Sequence, residues 1–411
     1  MLIFSHPTGN ANVRHAALGL FRAGLLGEFW TCLNFRAPAL LAGLLPDRVT
    51  AQLRRRSYPE ELAAVIRTQP LPEIVRLFAP RLGLRGLVRH ETGAFSVDAV
   101  YRSLDRAVAR RLTGGPFEAV YAYEDGAEYS FRAARRRGLR TLYDLPIGYW
   151  RSARTLLLEE AEREPEWAGT LIGNRDSAEK TDRKDAELAL ADVVFVASSF
   201  TRRTLAEGAN FKGTVVVVPY GAPRVPVAAA EPPARSAKLR VLFVGSLGQR
   251  KGLSYLFAAC RQVAGAVSLT VIGQKPLEPC AALDRELRDV RWIESCAHAR
   301  VLAEMAAHDV FVFPSLFEGF GLVLLEALAM GLPVITTAHT AGPDLIREGV
   351  EGFIVPIRDS SAIAACLERL HRDPARRSEM ARAARLRARE ITWEDYETTL
   401  AACVSRALGR T

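Results

Sequence analysis

No Cys-x-x-Cys pair stands anywhere in the 411 residues, and the six cysteines (Cys32, Cys260, Cys280, Cys296, Cys366 and Cys403) are scattered. A zinc framework or a disulfide scaffold is therefore not expected, and the thiols read as reduced, structural groups in a cytoplasmic protein. Runs of about 18 uninterrupted apolar residues, the length that spans a bilayer, are missing too, so no membrane-crossing helix is expected. The opening MLIFSHPTGN has no basic stretch followed by an apolar one, so a cleaved secretory signal is not expected either. No Asp-x-Asp motif is present to hold a metal, and no short-period repeat suggests a solenoid or propeller. Lysine is absent from the first 150 residues, which instead carry 21 arginines against 13 acids, a net +8 out of the chain's +9.

What is present is the composition of a soluble globular protein, 49% hydrophobic and 25% charged. The length suits two domains of about 200 residues each. The arginine clusters of the first domain (Arg54 to Arg56, Arg110 and Arg111, and Arg132 to Arg140) would suit an anionic partner. An anionic membrane surface or a phosphorylated acceptor ranks above nucleic acid, because no nucleic-acid-binding motif accompanies them. The alternative is a solvated surface.

Short β-branched runs alternate with helical patterns. In the second half LRVLFVGS, VSLTVIG, VRWIES, DVFVFPS, PVITTA and GFIVP read as strands, with LSYLFAACRQV, HARVLAEMAAH and GLVLLEALAM as helices between them. The first half gives LIFSH, EFWTCL, EAVYAYE, RTLYDLP, DVVFVAS and TVVVVPYG. Near-continuous apolar strands separated by helices predict α/β domains, each a parallel sheet covered on both faces. The Pro- and Ala-rich stretch from Ala222 to Lys238 reads as the linker between them.

Within GLVLLEALAM, Glu326 has Leu322, Val323, Ala329 and Met330 at spacings of three and four. A carboxylate buried among them without partners would cost several kcal/mol, so something must satisfy it. A vicinal diol such as that of a ribose suits its two oxygens. The alternatives are an arginine from another element, or a place at the helix surface. Just before it, LFEGFG leads from a strand end into the helix, and the amides of Gly319, Phe320, Gly321 and Leu322 would point at an anion such as a diphosphate. A second strand-end loop, FVGSLGQRKG, sets Arg250 and Lys251 at a helix start, where adjacent cations call for an anion.

The Glu318-x7-Glu326 spacing inside PSLFEGFGLVLLEALAMGLPVI, with VGSLGQRKG and VVPYGAP, resembles the retaining glycosyltransferases of family 4. The likeness is continuous from about Leu239 to Pro356, with further echoes in ADVVFVASSFTRRTL and ITWEDYETTL. It implies the GT-B fold, two Rossmann-like doubly wound domains facing each other across a cleft. Residues 1–222 would bind the acceptor, 239–390 the nucleotide-sugar, and 391–411 would form a helix crossing back to the first domain.

By the same resemblance Glu326 would hold the ribose, Glu318 would contact the donor sugar, and Gly319 to Leu322 would bind diphosphate and sugar. Lys251 matches the phosphate-binding lysine. Ser246 follows Gly245 where the family has an arginine, and Arg250 would substitute for it. Ile293 would lie beside the nucleobase. Gly9 and Asn10 stand where the family has a glycine-rich loop near the acceptor. Asp144 replaces a histidine next to the sugar, with a turn or helix-cap aspartate as its other reading. Glu124 and Asp125 would face the acceptor. The implied reaction is transfer of a sugar to a hydroxyl, lipid-linked acceptors among the candidates, with retention and no cofactor or metal. It would serve polysaccharide, glycolipid or other glycoconjugate synthesis in the cytoplasm, with peripheral contact to the inner face of the membrane. The alternatives are a non-catalytic nucleotide-sugar-binding partner subunit and a GT-B sugar epimerase.

Overall fold

The computed structural model describes residues 1–35, 56–171, 176–209, 211–224 and 237–410. Arg54, Arg55 and most of the expected linker lie outside the described residues.

The apolar runs of the first half form β1 (Leu2–Ser5), β2 (Leu26–Thr31), β3 (Ile66–Thr68), β4 (Ala119–Tyr123), β5 (Arg140–Leu145), β6 (Val193–Val196) and β7 (Thr214–Val217). They make one seven-stranded parallel sheet in the order β3-β2-β1-β4-β5-β6-β7. The second half gives β8 (Leu239–Val244), β9 (Val267–Ile272), β10 (Arg291–Ile293), β11 (Val310–Phe313), β12 (Val334–Thr337) and β13 (Gly352–Val355). These form a six-stranded parallel sheet, β10-β9-β8-β11-β12-β13. Each segment anticipated as a strand is one, and β3 is the addition. The central strands are buried along their whole length, β4 and β11 for example, as parallel strands covered by helices on both faces must be.

In each sheet the chain winds outward one way and then restarts beside the first strand. The switch points fall between β1 and β4 and between β8 and β11. The crevices outside the carboxyl ends of these strands are where open α/β sheets receive ligands.

The last helix, Trp393–Ala407, starts with a capping box in which Thr392 and Asp395 satisfy each other's backbone amides. It lies on the first-domain helix Ala11–Arg22. Gly19 there has no room for a side chain, since a Cβ would come within 2.7 Å of the Glu397 carbonyl oxygen. The His15 ring stacks on Trp393 at 4.2 Å, and Glu397 takes hydrogen bonds from Arg22 (2.7 Å) and His15 (2.6 Å).

Several first-domain arginines are occupied structurally. Arg135 donates to the Leu190 carbonyl and Arg137 to that of Leu112, the last residues of two helices, so both act as helix C-caps. Arg111 is paired with Glu28 and Arg132 with Glu128.

Candidate functional site

The second switch point is built by two loops that bond to each other. After β8 the chain runs through Gly245 and Ser246 to a 3-10 turn, Gln249–Lys251, and then Gly252 at φ 70°. A Cβ at Gly252 would lie 2.1 Å from the Pro314 carbonyl oxygen, so glycine is required there both for the left-handed backbone and for the close approach. The loop after β11 answers it. Leu316 N donates to the Arg250 carbonyl (2.9 Å), and the Arg250 guanidinium donates to the Phe317 carbonyl (2.6 Å).

This clamp holds Glu318 against both cations. Its carboxylate receives the Lys251 ammonium and lies 3.3 Å from Arg250 Nη1. Lys251 is buried, with its ammonium 4.7 Å from the centre of the Phe313 ring. Burial first, and then the charge of Arg250, press the Lys251 ammonium towards neutrality. Burial alone lowers Arg250. The helix Leu322–Met330 begins beside this cluster at Gly321 (φ 85°), which supplies no side-chain cap. Its first amides therefore stay available to an anion.

Glu326 sits one turn inside that helix. It is not the enclosed, partnerless carboxylate the sequence suggested. Its side chain is 22% exposed, and the exposed His298 pairs with it at 2.9 Å. Glu326 is half-buried, and among the described residues its second carboxylate oxygen accepts no hydrogen bond. Ile293 ends the edge strand β10, half-buried, with its carbonyl accepting from Gly273 N (3.0 Å). Gly273 itself allows the β9 loop to press on Gly245, whose carbonyl oxygen would meet a Cβ at 1.7 Å.

On the first-domain side two of the anticipated acids, Glu124 and Asp144, are buried, and Asp125 is partly exposed. Asp144 lies within β5, 4% exposed, and accepts from the Tyr121 hydroxyl at 2.6 Å, with Tyr123 opposite it across the strand pair. Burial pushes its carboxyl up to about 7. It is neither a cap nor an open sugar contact. Glu124 is buried as well, pushed up to about 7 by desolvation against the pull of Lys184, 3.6 Å away. Lys184 also meets Asp176 (3.2 Å), so buried Glu124 and partly exposed Asp125 belong to one charge network. His90 and Glu91 approach Asp176 as a metal would require, but Lys180 (2.9 Å) and Lys184 already occupy that carboxylate. Gly9 is buried against the Tyr58 ring, and Asn10 is exposed at the start of helix Ala11–Arg22 without a side-chain cap bond.

The residues that join the two halves were not foreseen. A Cβ on Gly319 would lie 1.8 Å from the Pro146 carbonyl oxygen, and one on Gly148 2.4 Å from the Phe317 ring, so the donor-side loop is seated on the first domain. Ser198, whose hydroxyl caps the helix Ser199–Gly208, also donates to the Gly319 carbonyl, as does Thr201 (3.0 Å). Nearby, Glu160 from helix Trp150–Arg163 is fully buried. It accepts from Gln249 (2.7 Å), Tyr255 (2.9 Å) and Arg358 (2.7 Å), all from the second half. These partners lie 89 to 198 residues away, and no local pattern announces them.

Residues 238–373 match the family described as glycosyl transferases group 1. The amylovoran biosynthesis glycosyltransferase AmsK of Erwinia amylovora is 35% identical over 150 residues, 33% of this chain and 37% of that protein. The glycogen synthase of Mycobacterium tuberculosis is 33% identical over 196 residues, 46% of this chain and 47% of that one. The matched region thus spans less than half of these curated relatives. Two solved structures align along 99% of both chains: sucrose-phosphate synthase from Thermosynechococcus elongatus (TM-score 0.67, 18% identity) and Anabaena HepE in complex with UDP (TM-score 0.60, 14% identity). The second domain is therefore a glycosyl transferases group 1 domain, and the chain as a whole has the GT-B fold.

Proposed function

We propose that the chain is a retaining glycosyltransferase that moves a sugar from a nucleoside-diphosphate-sugar to a hydroxyl acceptor in polysaccharide or other glycoconjugate synthesis. The observation that carries this reading is the pair of cations, buried Lys251 and half-buried Arg250, gathered on Glu318 beside an uncapped helix start. A structure that likewise places UDP in a GT-B chain is that of HepE.

Glu318 holds the two cations together. When a diphosphate arrives, Lys251 and Arg250 turn to its oxygens, together with the amides of Gly319 to Leu322, and Glu318 is freed for the donor sugar's hydroxyls. As the bond from sugar to diphosphate breaks, these fixed donors stabilise the charge growing on the leaving oxygen, which is the largest effect such a site offers. The acceptor attacks from the same face, and the diphosphate takes its proton. Glu326 holds the ribose through the oxygen that His298 leaves free. Arg250 takes the part left vacant by Ser246. The reaction so described needs no metal, and transfer is expected to proceed in excess chelator; strict dependence on added magnesium would overturn that part.

One observation favours a second reading, a non-catalytic nucleotide-sugar-binding partner subunit: Asp144 is withdrawn into the core where a sugar contact was expected. Release of free nucleoside diphosphate from a nucleotide-sugar decides between the two. The proposed place of work is the cytoplasmic face of a membrane that carries the acceptor.

A further inference from the structure

The strongest feature that the donor site does not absorb is a surface at the far edge of the first sheet. After β3 the chain forms the helix Pro70–Phe78 and two 3-10 turns, Ala79–Leu82 and Arg85–Val88. The helix turns Glu73 and Leu77 inward. Its other face carries Leu71, Ile74 and Phe78 at spacings of three and four, 69%, 40% and 39% exposed. The turns continue the stripe with Leu82 (73%) and Leu84 (52%). Large apolar side chains rarely gather on a free surface in this way without a partner.

The charges around the stripe say which partner. Arg81, Arg85 and Arg89 are all exposed among these leucines. Between Pro70 and Arg89 the sole acid is Glu73, 1% exposed and paired with Arg56 and Arg76. The face that meets solvent is therefore apolar and cationic with no acid of its own. A helix with apolar residues on one side and arginines beside them is suited to lie in the headgroup layer of an anionic bilayer, with apolar groups in the acyl boundary and guanidinium groups on lipid phosphates. No helix among the described residues is long and apolar enough to cross a membrane.

We propose that residues 70–89 are the membrane-docking surface of this chain and that its partner is an anionic lipid bilayer. This rests on the reading that the acceptor is reached at a membrane, and it moves the contact away from Arg135 to Arg137, two of which are engaged as helix caps. Docking through this face differs from attraction by arginines alone, because the apolar part persists when salt screens the charges.

The test is co-sedimentation of the full chain with vesicles of phosphatidylcholine containing phosphatidylglycerol, and with phosphatidylcholine alone, at about 0.1 M and about 0.5 M salt. Binding to the anionic vesicles is expected, reduced but not abolished at the higher salt. Phe78→Ser with Leu82→Ser, both at exposed positions, should lower the partition coefficient at least ten-fold, and Arg85→Ala with Arg89→Ala should lower it chiefly at low salt. UDP affinity by calorimetry should be the same in every variant. Vesicle binding unchanged by the Phe78 and Leu82 substitutions overturns the proposal. So does a chain that ignores the vesicles but forms a dimer in sedimentation velocity that these substitutions abolish, since the face then belongs to a second copy. Absence of binding to UDP, GDP and ADP alike in all forms would instead defeat the functional reading while leaving the vesicle result standing.

Discussion

At the carboxyl end of β11, Glu318 meets a buried lysine and a half-buried arginine brought by a neighbouring loop, whereas at the ends of β4 and β5 the acids Glu124 and Asp144 are enclosed by the sheet and pushed towards neutrality. The same fold, at its two equivalent edges, treats carboxylates in opposite ways. At the second sheet's edge a carboxylate is held by two cations, and at the first it is buried with a hydroxyl or a lysine and becomes part of the core.

The largest effect should come from removing the contrast on the second side. Lys251→Ala is expected to lower transfer about 100- to 1,000-fold, the loss typical of one fixed donor to a developing anion, while Ser246→Ala changes little. Steady-state kinetics on a nucleotide-sugar checks this, and near-equal losses would show that the cation is not specific to the leaving group.

Next comes the seam. Arg358, 15% exposed, holds the fully buried Glu160. Arg358→Ala leaves that carboxylate with two neutral donors and should cost about 3 kcal/mol in denaturant unfolding. A loss under about 1 kcal/mol would show that Gln249 and Tyr255 suffice.

On the first side, Asp144 has a carboxyl raised from 3.8 to about 7 by burial. Below pH 3.8 both folded and unfolded chains hold the proton, and the group is neutral with respect to stability. Between 3.8 and 7 the unfolded chain releases it first, so the folded state loses stability as pH rises, and above 7 the penalty is complete. Asp144→Asn removes this term. The variant should gain about 3 kcal/mol on wild type between pH 5 and pH 8, read from unfolding curves at the two pH values. A difference independent of pH would mean the carboxyl is ionised in the folded protein.

The smallest expected effect concerns the pair at the cleft's rim. His298 is 62% exposed, so His298→Ala should alter stability by a few tenths of a kcal/mol, whereas Glu326→Ala should lose nucleotide binding in calorimetry. If the two variants behave alike, Glu326 serves only to hold its histidine.

Much of this was legible in sequence. The strands of the second domain are continuous apolar runs, which only a parallel buried sheet accommodates, and EGFG with GQRKG placed both loops of the switch point. The edge strand β3 escaped because three residues before Pro70 show no period. Asp144 was misplaced for a different reason. Its surroundings come from Tyr121 and Tyr123, on a strand whose register with β5 is visible only once the sheet is assembled. Glu326 appeared isolated because periodicity reports neighbours on its own helix, and His298 comes from another. Glu160 and its partners had no signal at all, since a buried carboxylate and its donors share no local spacing.

Ser198 is where these threads meet, because one hydroxyl both starts a first-domain helix and grips the Gly319 carbonyl. To part the domains, Ser198 and Thr201 must give up that carbonyl together, about 1 kcal/mol for each bond. Replacing Ser198 with alanine would therefore loosen two things at once, the start of its own helix and the seat of the loop that carries Glu318.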